Sequence, residues 1–384
     1  MDRIPNDSYN QRVFIQYNLI SLFSAGAMMA AFTYVPIFLA DHSVSDSEIG
    51  IITIGYAIMT GISFWLFGRA SDLTGRRKIF IQVGLGTSSL SFLLQIFGTS
   101  FALMFLARGL FGFSLGIFPP ALTAYAYEAK GKMGKFSSFG ALGWGMGTLG
   151  GGLLAAVFNL EVVFFYGSGL FIIAFIIAFL WLPERNYVKE TQGSITKVLR
   201  ENFMVYLVML IRHSAAFAIW TFWPLFLIEI GAGLVEVGVI QFTNAFVQFI
   251  VMNSLTDRYD SDKLVLIGLI LSAVVFALFA AFPYLWIILV LQALLAISWS
   301  ALYVGALKSV TETSEDRSTA AGLLQSTQSM CAILGPIMGT ILVLIFETYT
   351  STMVFAAIVS ALAVGVFIVI SSPLGEKNKT ALTA

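Results

Sequence analysis

The residues of this chain best suited to chemistry are few and unevenly placed. One turn reads GRASDLTGRRK, from Gly68 to Lys78, and sets Asp72 four residues after a glycine and just ahead of Gly75, Arg76, Arg77 and Lys78. Gly68 and Gly75 permit close packing and a tight turn. Asp72 stands at a helix end, where a carboxylate at the polar boundary needs a basic partner such as Arg76, or water. Two further cations interrupt apolar runs: Arg108, and Arg212, which His213 follows. An arginine at the bilayer centre costs at least about 2.5 kcal/mol on insertion scales, so both require a reason. Arg212 either snorkels to the membrane surface or forms a structural hydrogen bond, or else it faces a solute path. An imidazole titrates near neutrality and can carry a proton; a satisfied structural histidine is the competing reading of His213. At helical spacing His213, Phe217 and Trp220 form one stripe, with Pro224 beyond it.

The elements that position these groups are membrane spans. Of 384 residues, 58% are hydrophobic and 11% charged, and the mean hydropathy is +0.88, whereas a soluble domain carries about a quarter of its residues as charges. Apolar runs predict twelve helices, near 13–39, 47–68, 79–98, 101–127, 136–158, 161–182, 203–229, 234–255, 264–282, 284–308, 318–346 and 350–372. Lys and Arg accumulate on the cytoplasmic side of membrane proteins. With both termini cytoplasmic, 19 of the 21 basic residues fall inside, the exceptions being Arg108 and Arg212, and the outer loops keep only acids such as Asp41, Glu48, Glu161 and Glu347. The polar start, with Asp2 and Asp7, does not read as a cleaved signal peptide. The expectation is a multi-pass protein of the cell membrane, with the lipid bilayer as its surroundings and a monomer as its state.

The same arithmetic excludes other classes. The single cysteine, Cys331, rules out a disulfide framework and a Cys-built zinc or iron–sulfur site. Balanced charge argues against nucleic acid. No HExxH, no phosphate loop and no paired intramembrane acids are present, so neither an enzyme nor a cofactor or metal is expected, and energy must come from a gradient.

An internal repeat is visible. TYVPIFLADHSVSDSEIG from Thr33 aligns without gaps on TFWPLFLIEIGAGLVEVG, 188 residues later, matching Pro36 with Pro224 and Gly50 with Gly238. At the same offset GTLGG from Gly147 lies opposite GPIMG from Gly335. Two pseudo-symmetric six-helix bundles in parallel repeat follow, with residues 1–183 and 203–384 as halves and 184–202 as a polar cytoplasmic linker. Ile195, Val198 and Leu199 give that linker either a short amphipathic turn on the membrane or a solvated loop.

The Gly68–Lys78 turn resembles the most diagnostic motif of the major facilitator superfamily, and the resemblance extends to the whole chain, towards the twelve-helix drug:proton antiporter branch. It implies alternating access, with the turn latching the inward side through a carboxylate at the end of the fourth helix, here Glu128. Asp72, Arg76 and Glu128 are therefore assigned to a gating network with Arg77. Asp257, within the degenerate second copy SLTDRYDSDK, and Glu312 are their counterparts in the other half. GWGMGTLGG in the fifth helix, with Gly143, Gly147, Gly150 and Gly151, resembles the antiporter motif, Thr148 replacing its proline; Gly335, Pro336 and Gly339 repeat it in the eleventh. Small residues at this spacing let helices approach closely and rock. Arg108 resembles an arginine tied to proton coupling, although the first helix lacks the usual carboxylate and offers Asn18 instead.

Small-molecule solutes and protons are the expected partners. Asn18, Tyr34, Arg108, Arg212, Phe217, Trp220, Gln241, Asn244, Trp299 and Tyr303 are the candidate path. Aromatic and amide groups suit neutral, lipophilic or cationic amphipathic compounds and an exporter. The arginines suit a carrier of a polar metabolite or organic anion, with Arg108 and Arg212 holding the acid. A membrane sensor or receptor that moves no solute is the third possibility.

Overall fold

The computed structural model describes residues 7–184, 194–232, 234–254 and 256–371. Among them the chain forms fourteen α-helices: α1 (Asp7–Asp41), α2 (Asp46–Thr74), α3 (Arg77–Leu94), α4 (Phe101–Leu115), α5 (Pro119–Glu128), α6 (Met133–Val157), α7 (Val162–Leu180), α8 (Ile195–Glu201), α9 (Phe203–Glu229), α10 (Leu234–Ser254), α11 (Ser261–Ala281), α12 (Leu285–Thr313), α13 (Arg317–Phe346) and α14 (Thr350–Ser371). Among the described residues ten spans are long and apolar enough to cross a membrane, α4 and α5 together making one of them. The long helices α6 and α10 are not in that set; α6 is rich in glycine, and α10 carries Glu236, Gln241, Asn244 and Gln248.

The fourth predicted helix is broken. Pro119 and Pro120 cannot donate backbone hydrogen bonds, so α4 ends before Gly116 and the chain restarts with proline in its first turn. The break frees the Phe113 carbonyl, which accepts a hydrogen bond from Ser63 Oγ of α2 at 2.5 Å. Elsewhere the ends shift by a few residues. On the linker, Ser194 Oγ accepts the Lys197 N–H and caps α8, Val198 is buried against the helical core, and Asn202 donates to Ser314 Oγ. The end of the linker is thus a short helix packed on protein. Residues 185–193, and with them Arg185 and Lys189, lie outside the described residues, as do the terminal Arg3, Lys377 and Lys379.

Helix pairing repeats between the two parts of the chain. In the first, α1 packs on α6 and α7, α2 on α4, and α3 on α4 and α7; in the second, α9 packs on α13 and α14, α10 on α12, and α11 on α12 and α14. The two sets touch along α2 with α13 and α6 with α10. The 188-residue offset is visible in individual contacts. A Cβ on Gly147 would collide with the Gly26 carbonyl, and one on Gly335 with that of Ser214; these are the same two positions, 188 residues apart. Both seams bring backbones together where a side chain has no room.

Candidate functional site

Three arrangements concentrate the polar groups. The first joins the two helix sets at the end where α2 turns into α3. Gly75 closes α2 in the left-handed conformation, φ 67°, which a residue with a Cβ adopts only at a cost. The turn it makes directs Arg77 inwards and leaves Arg76 exposed. Arg77, 0% exposed, reaches Asp72 at 2.7 Å and Glu128 of α5 at 2.8 Å, and donates to Ser71 Oγ at 3.0 Å. The arginine of the network is accordingly Arg77, and the expected role of Arg76 is not observed. The residue after the αL glycine still belongs to the turn, and the next one opens α3 facing the core.

Asp72 also crosses to the other helix set. Its carboxylate accepts the backbone N–H groups of Ser318 and Thr319 and the Thr319 hydroxyl, in the first turn of α13. Asp257 does the same in reverse, accepting the N–H groups of Gly134 and Lys135 in the first turn of α6 at 2.9 and 3.1 Å. A carboxylate at a helix N-terminus satisfies unpaired donors and meets the positive end of the helix dipole. This cap explains why α6 begins three residues earlier than its apolar run. Arg69 adds an ion pair to Asp316, the N-cap residue of α13, at 3.5 Å. Glu312 departs from expectation: it is exposed at the end of α12 and joins none of these bonds. No arginine stands at the position matching Arg77, where Val265 lies 188 residues later, and Lys263 pairs with the exposed Asp260. Gly68 packs against the Ser318 carbonyl, so the glycine of the turn also serves the contact with α13.

The second arrangement is the pair of glycine seams. Gly143 and Gly147 meet Leu22 and Gly26 of α1, while Gly335 and Gly339 meet Ser214, Phe217 and Ala218 of α9. Pro336 lies within α13 without ending it. Gly150 faces the Tyr166 hydroxyl, and Gly151 lies against the Tyr34 ring. Tyr34 is thereby committed to the α1/α6 seam, where its hydroxyl donates to the Thr148 carbonyl at 2.7 Å. Asn18 is fully buried and donates to the Phe14 carbonyl of its own helix.

The third arrangement contains the membrane arginines, which sit in different helix sets and share no neighbour. Arg108 bonds Gln95 Oε1 at 3.1 Å and lies over Tyr56, 4.3 Å from the ring centroid. Arg212, 1% exposed, donates from Nε to Ser272 Oγ of α11 at 2.8 Å and from Nη1 to His213 Nδ1 at 3.3 Å, between Phe276 and Trp299. It does not snorkel. Neither arginine has a carboxylate partner among the described residues. A guanidinium only donates, so His213 Nδ1 accepts and its proton sits on Nε2. The imidazole stacks on Trp299, centroids 4.5 Å apart and 16° from parallel, and Trp299 stacks on Tyr303 at 5.3 Å and 19°. Phe217 meets His213 edge-on, while Trp220 turns instead to the buried Trp223. The predicted path residues Arg212, Phe217, Trp299 and Tyr303 thus form one cluster with His213, the candidate proton carrier.

The amide stripe of α10 resolves differently. Gln248 donates to Asn244 Oδ1, and Asn244 donates to Gln292 Oε1 of α12 at 2.9 Å, whereas Gln241 is exposed and apart. Gln292, Gln95 and Ser272 were not singled out from the sequence. For Gln292 and Gln95 a signal existed, an amide in an apolar run; a serine among so many serines carries none.

Comparison with known proteins places these features. The family model described as "Major Facilitator Superfamily" matches residues 18–250 and 205–384. Quinolone resistance protein NorA of Staphylococcus aureus (strain MRSA252) is 23% identical over 380 residues, 94% of this chain and 96% of the relative. Multidrug resistance protein 2 of Bacillus subtilis (strain 168) is 30% identical over 176 residues, 44% of each chain. The crystal structure of the human organic anion transporter MFSD10 (TETRAN) superposes with a TM-score of 0.76 at 14% identity, over 93% of this chain and 99% of that one.

Proposed function

The chain belongs to the Major Facilitator Superfamily, and from that premise we propose that it exports amphipathic, drug-like compounds by alternating access, driven by inward proton movement. It is a multi-pass transporter of the cell membrane and not an enzyme. In this reading twelve helices span the membrane, α4 and α5 counting as one, with both termini cytoplasmic. Residues 1–183 and 203–384 are the rocking halves, 184–202 their linker, and the monomer is the working unit.

The observation that carries the reading is the reciprocal capping of α13 by Asp72 and of α6 by Asp257. Each half caps a helix of the other at the basic end, so rocking about the α2/α13 and α6/α10 seams breaks these caps at that end. The names of the two bacterial relatives support drug-like cargo. Arg108 and His213 are assigned to the proton step. His213 fits because its Nδ1 lone pair is engaged by Arg212, a bond that protonation must break.

Reconstitution tests this. In liposomes carrying an imposed proton gradient, a cationic fluorescent dye should move against its own gradient, and an uncoupler should abolish the movement. Dye flux that ignores the proton gradient overturns the coupling, and no flux of any amphipathic dye overturns the export reading.

A further inference from the structure

Arg212 is the only arginine of the described residues with a buried Nη atom that lacks a hydrogen-bond partner. Its Nε is held by Ser272 and its Nη1 by His213, while Nη2 is enclosed and unpartnered. A guanidinium stays charged at all physiological pH, and a buried charge without a counter-ion costs several kcal/mol in a real protein interior. Arg77 shows how this chain otherwise treats a buried arginine: two carboxylates and a serine surround it. Arg108, the other membrane arginine, lies over Tyr56 and bonds Gln95 Oε1. Arg212 has only aromatic faces, a serine and an imidazole. It is a cation built into the core of the second helix set with no anionic partner among the described residues.

The surroundings indicate what shape that anion has. Phe276 and Trp299 flank the guanidinium, and His213, Trp299 and Tyr303 form a stack of three near-parallel rings beside it, with Trp299 and Tyr303 half-buried. A flat aromatic surface next to an unpaired donor is complementary to a planar ring bearing an acid group. The Nη1–His213 bond, at 3.3 Å, is long, and a carboxylate taking Nη1 and Nη2 together would replace it with a bidentate, charge-assisted pair while Ser272 keeps Nε in place.

We propose that Arg212 with His213, Trp299 and Tyr303 forms a subsite for aromatic carboxylates. This rests on the transporter reading above and names a substrate class for it. Arg108 takes no part, because its partners lie in the other helix set.

The test uses the purified full-length protein and two probes of one shape, 1-naphthoate and the neutral 1-naphthamide, titrated calorimetrically at pH 7.5. The native protein should bind naphthoate at least about tenfold more tightly, as expected for a hydrogen-bonded charge pair. Arg212→Gln should erase that preference and leave naphthamide unchanged, and Trp299→Leu should weaken both. Equal affinities in the native protein, or no binding of naphthoate, overturn the proposal without reference to any variant. Should Arg212→Gln fail to fold, Ser272→Ala, which frees Nε but keeps the charge, is expected to reduce the preference; an unchanged preference there counts against the geometry. Gradient-driven dye export without a naphthoate preference defeats this subsite and spares the export reading. The preference without any export does the reverse.

Discussion

At the scale of single residues, neighbouring arginines have opposite fates. Arg77 bridges two buried carboxylates, and removing one partner of such a pair strands the others in the core, at a cost of about 3–5 kcal/mol. Arg77→Ala should therefore lower the thermal unfolding midpoint of the detergent-solubilised protein sharply, while Arg76→Ala, at an exposed site, should shift it by no more than about 0.5 kcal/mol of stability. Equal effects would mean the turn is not arranged as described. His213 gives a second expectation. His213→Asn keeps a polar group against Arg212 but cannot titrate, so folded protein should still be recovered while dye export loses its dependence on the proton gradient. Retained dependence would move the proton step elsewhere.

At the scale of helices, the glycines divide by what surrounds them. Gly147→Leu and Gly335→Leu place side chains into backbone and should prevent recovery of folded protein, whereas Gly169, with nothing within 4 Å, should accept alanine with a gain of up to about 1 kcal/mol in helix propensity. Helix starts follow the same logic of local partners. The Glu48 carboxylate accepts the Ser45 N–H and hydroxyl at the head of α2, and these bonds hold its pKa below the usual carboxylate range. A depressed folded pKa means the contribution is complete above the ordinary carboxylate range, near pH 4.3, and is lost as pH falls through the folded value. Native protein and Glu48→Gln should thus differ in unfolding midpoint at pH 7 and converge in acid. A constant difference across that window would show that the cap does not titrate.

For the molecule as a whole, the polar bonds between the halves are concentrated at the basic end. Asp72→Asn with Asp257→Asn weakens both caps, each worth about 0.5–2 kcal/mol, and also takes one of the two carboxylates from Arg77, so the pair should shift the population towards opening at that end. Ser318 is fully buried beneath α2, so in a Cys331→Ser background, a cysteine replacing Ser318 should react with maleimide several-fold faster when the two aspartates are changed. An unaltered rate would separate the caps from the conformational equilibrium.

How much of this was legible beforehand depends on the range of the physics involved. Scarce charge and long apolar runs dictate helices in a bilayer wherever they occur, because backbone polar groups in lipid must be satisfied within the segment. The helices, their approximate ends and the 188-residue repeat follow from the sequence alone, and Asp72, Glu128, Arg108 and Arg212 stand out in it, since a charge in or beside an apolar run is conspicuous. What the sequence could not supply was partnership. That Arg77 and not Arg76 enters the network depends on one left-handed glycine. That Asp257 caps α6 while Glu312 stands idle depends on which helix ends the fold brings together. That Ser272 holds the Arg212 Nε depends on how α11 packs beside α9. Composition and periodicity act along the chain and are written in it. Hydrogen bonds act over about 3 Å between residues up to 265 positions apart, and only the tertiary structure decides which groups meet.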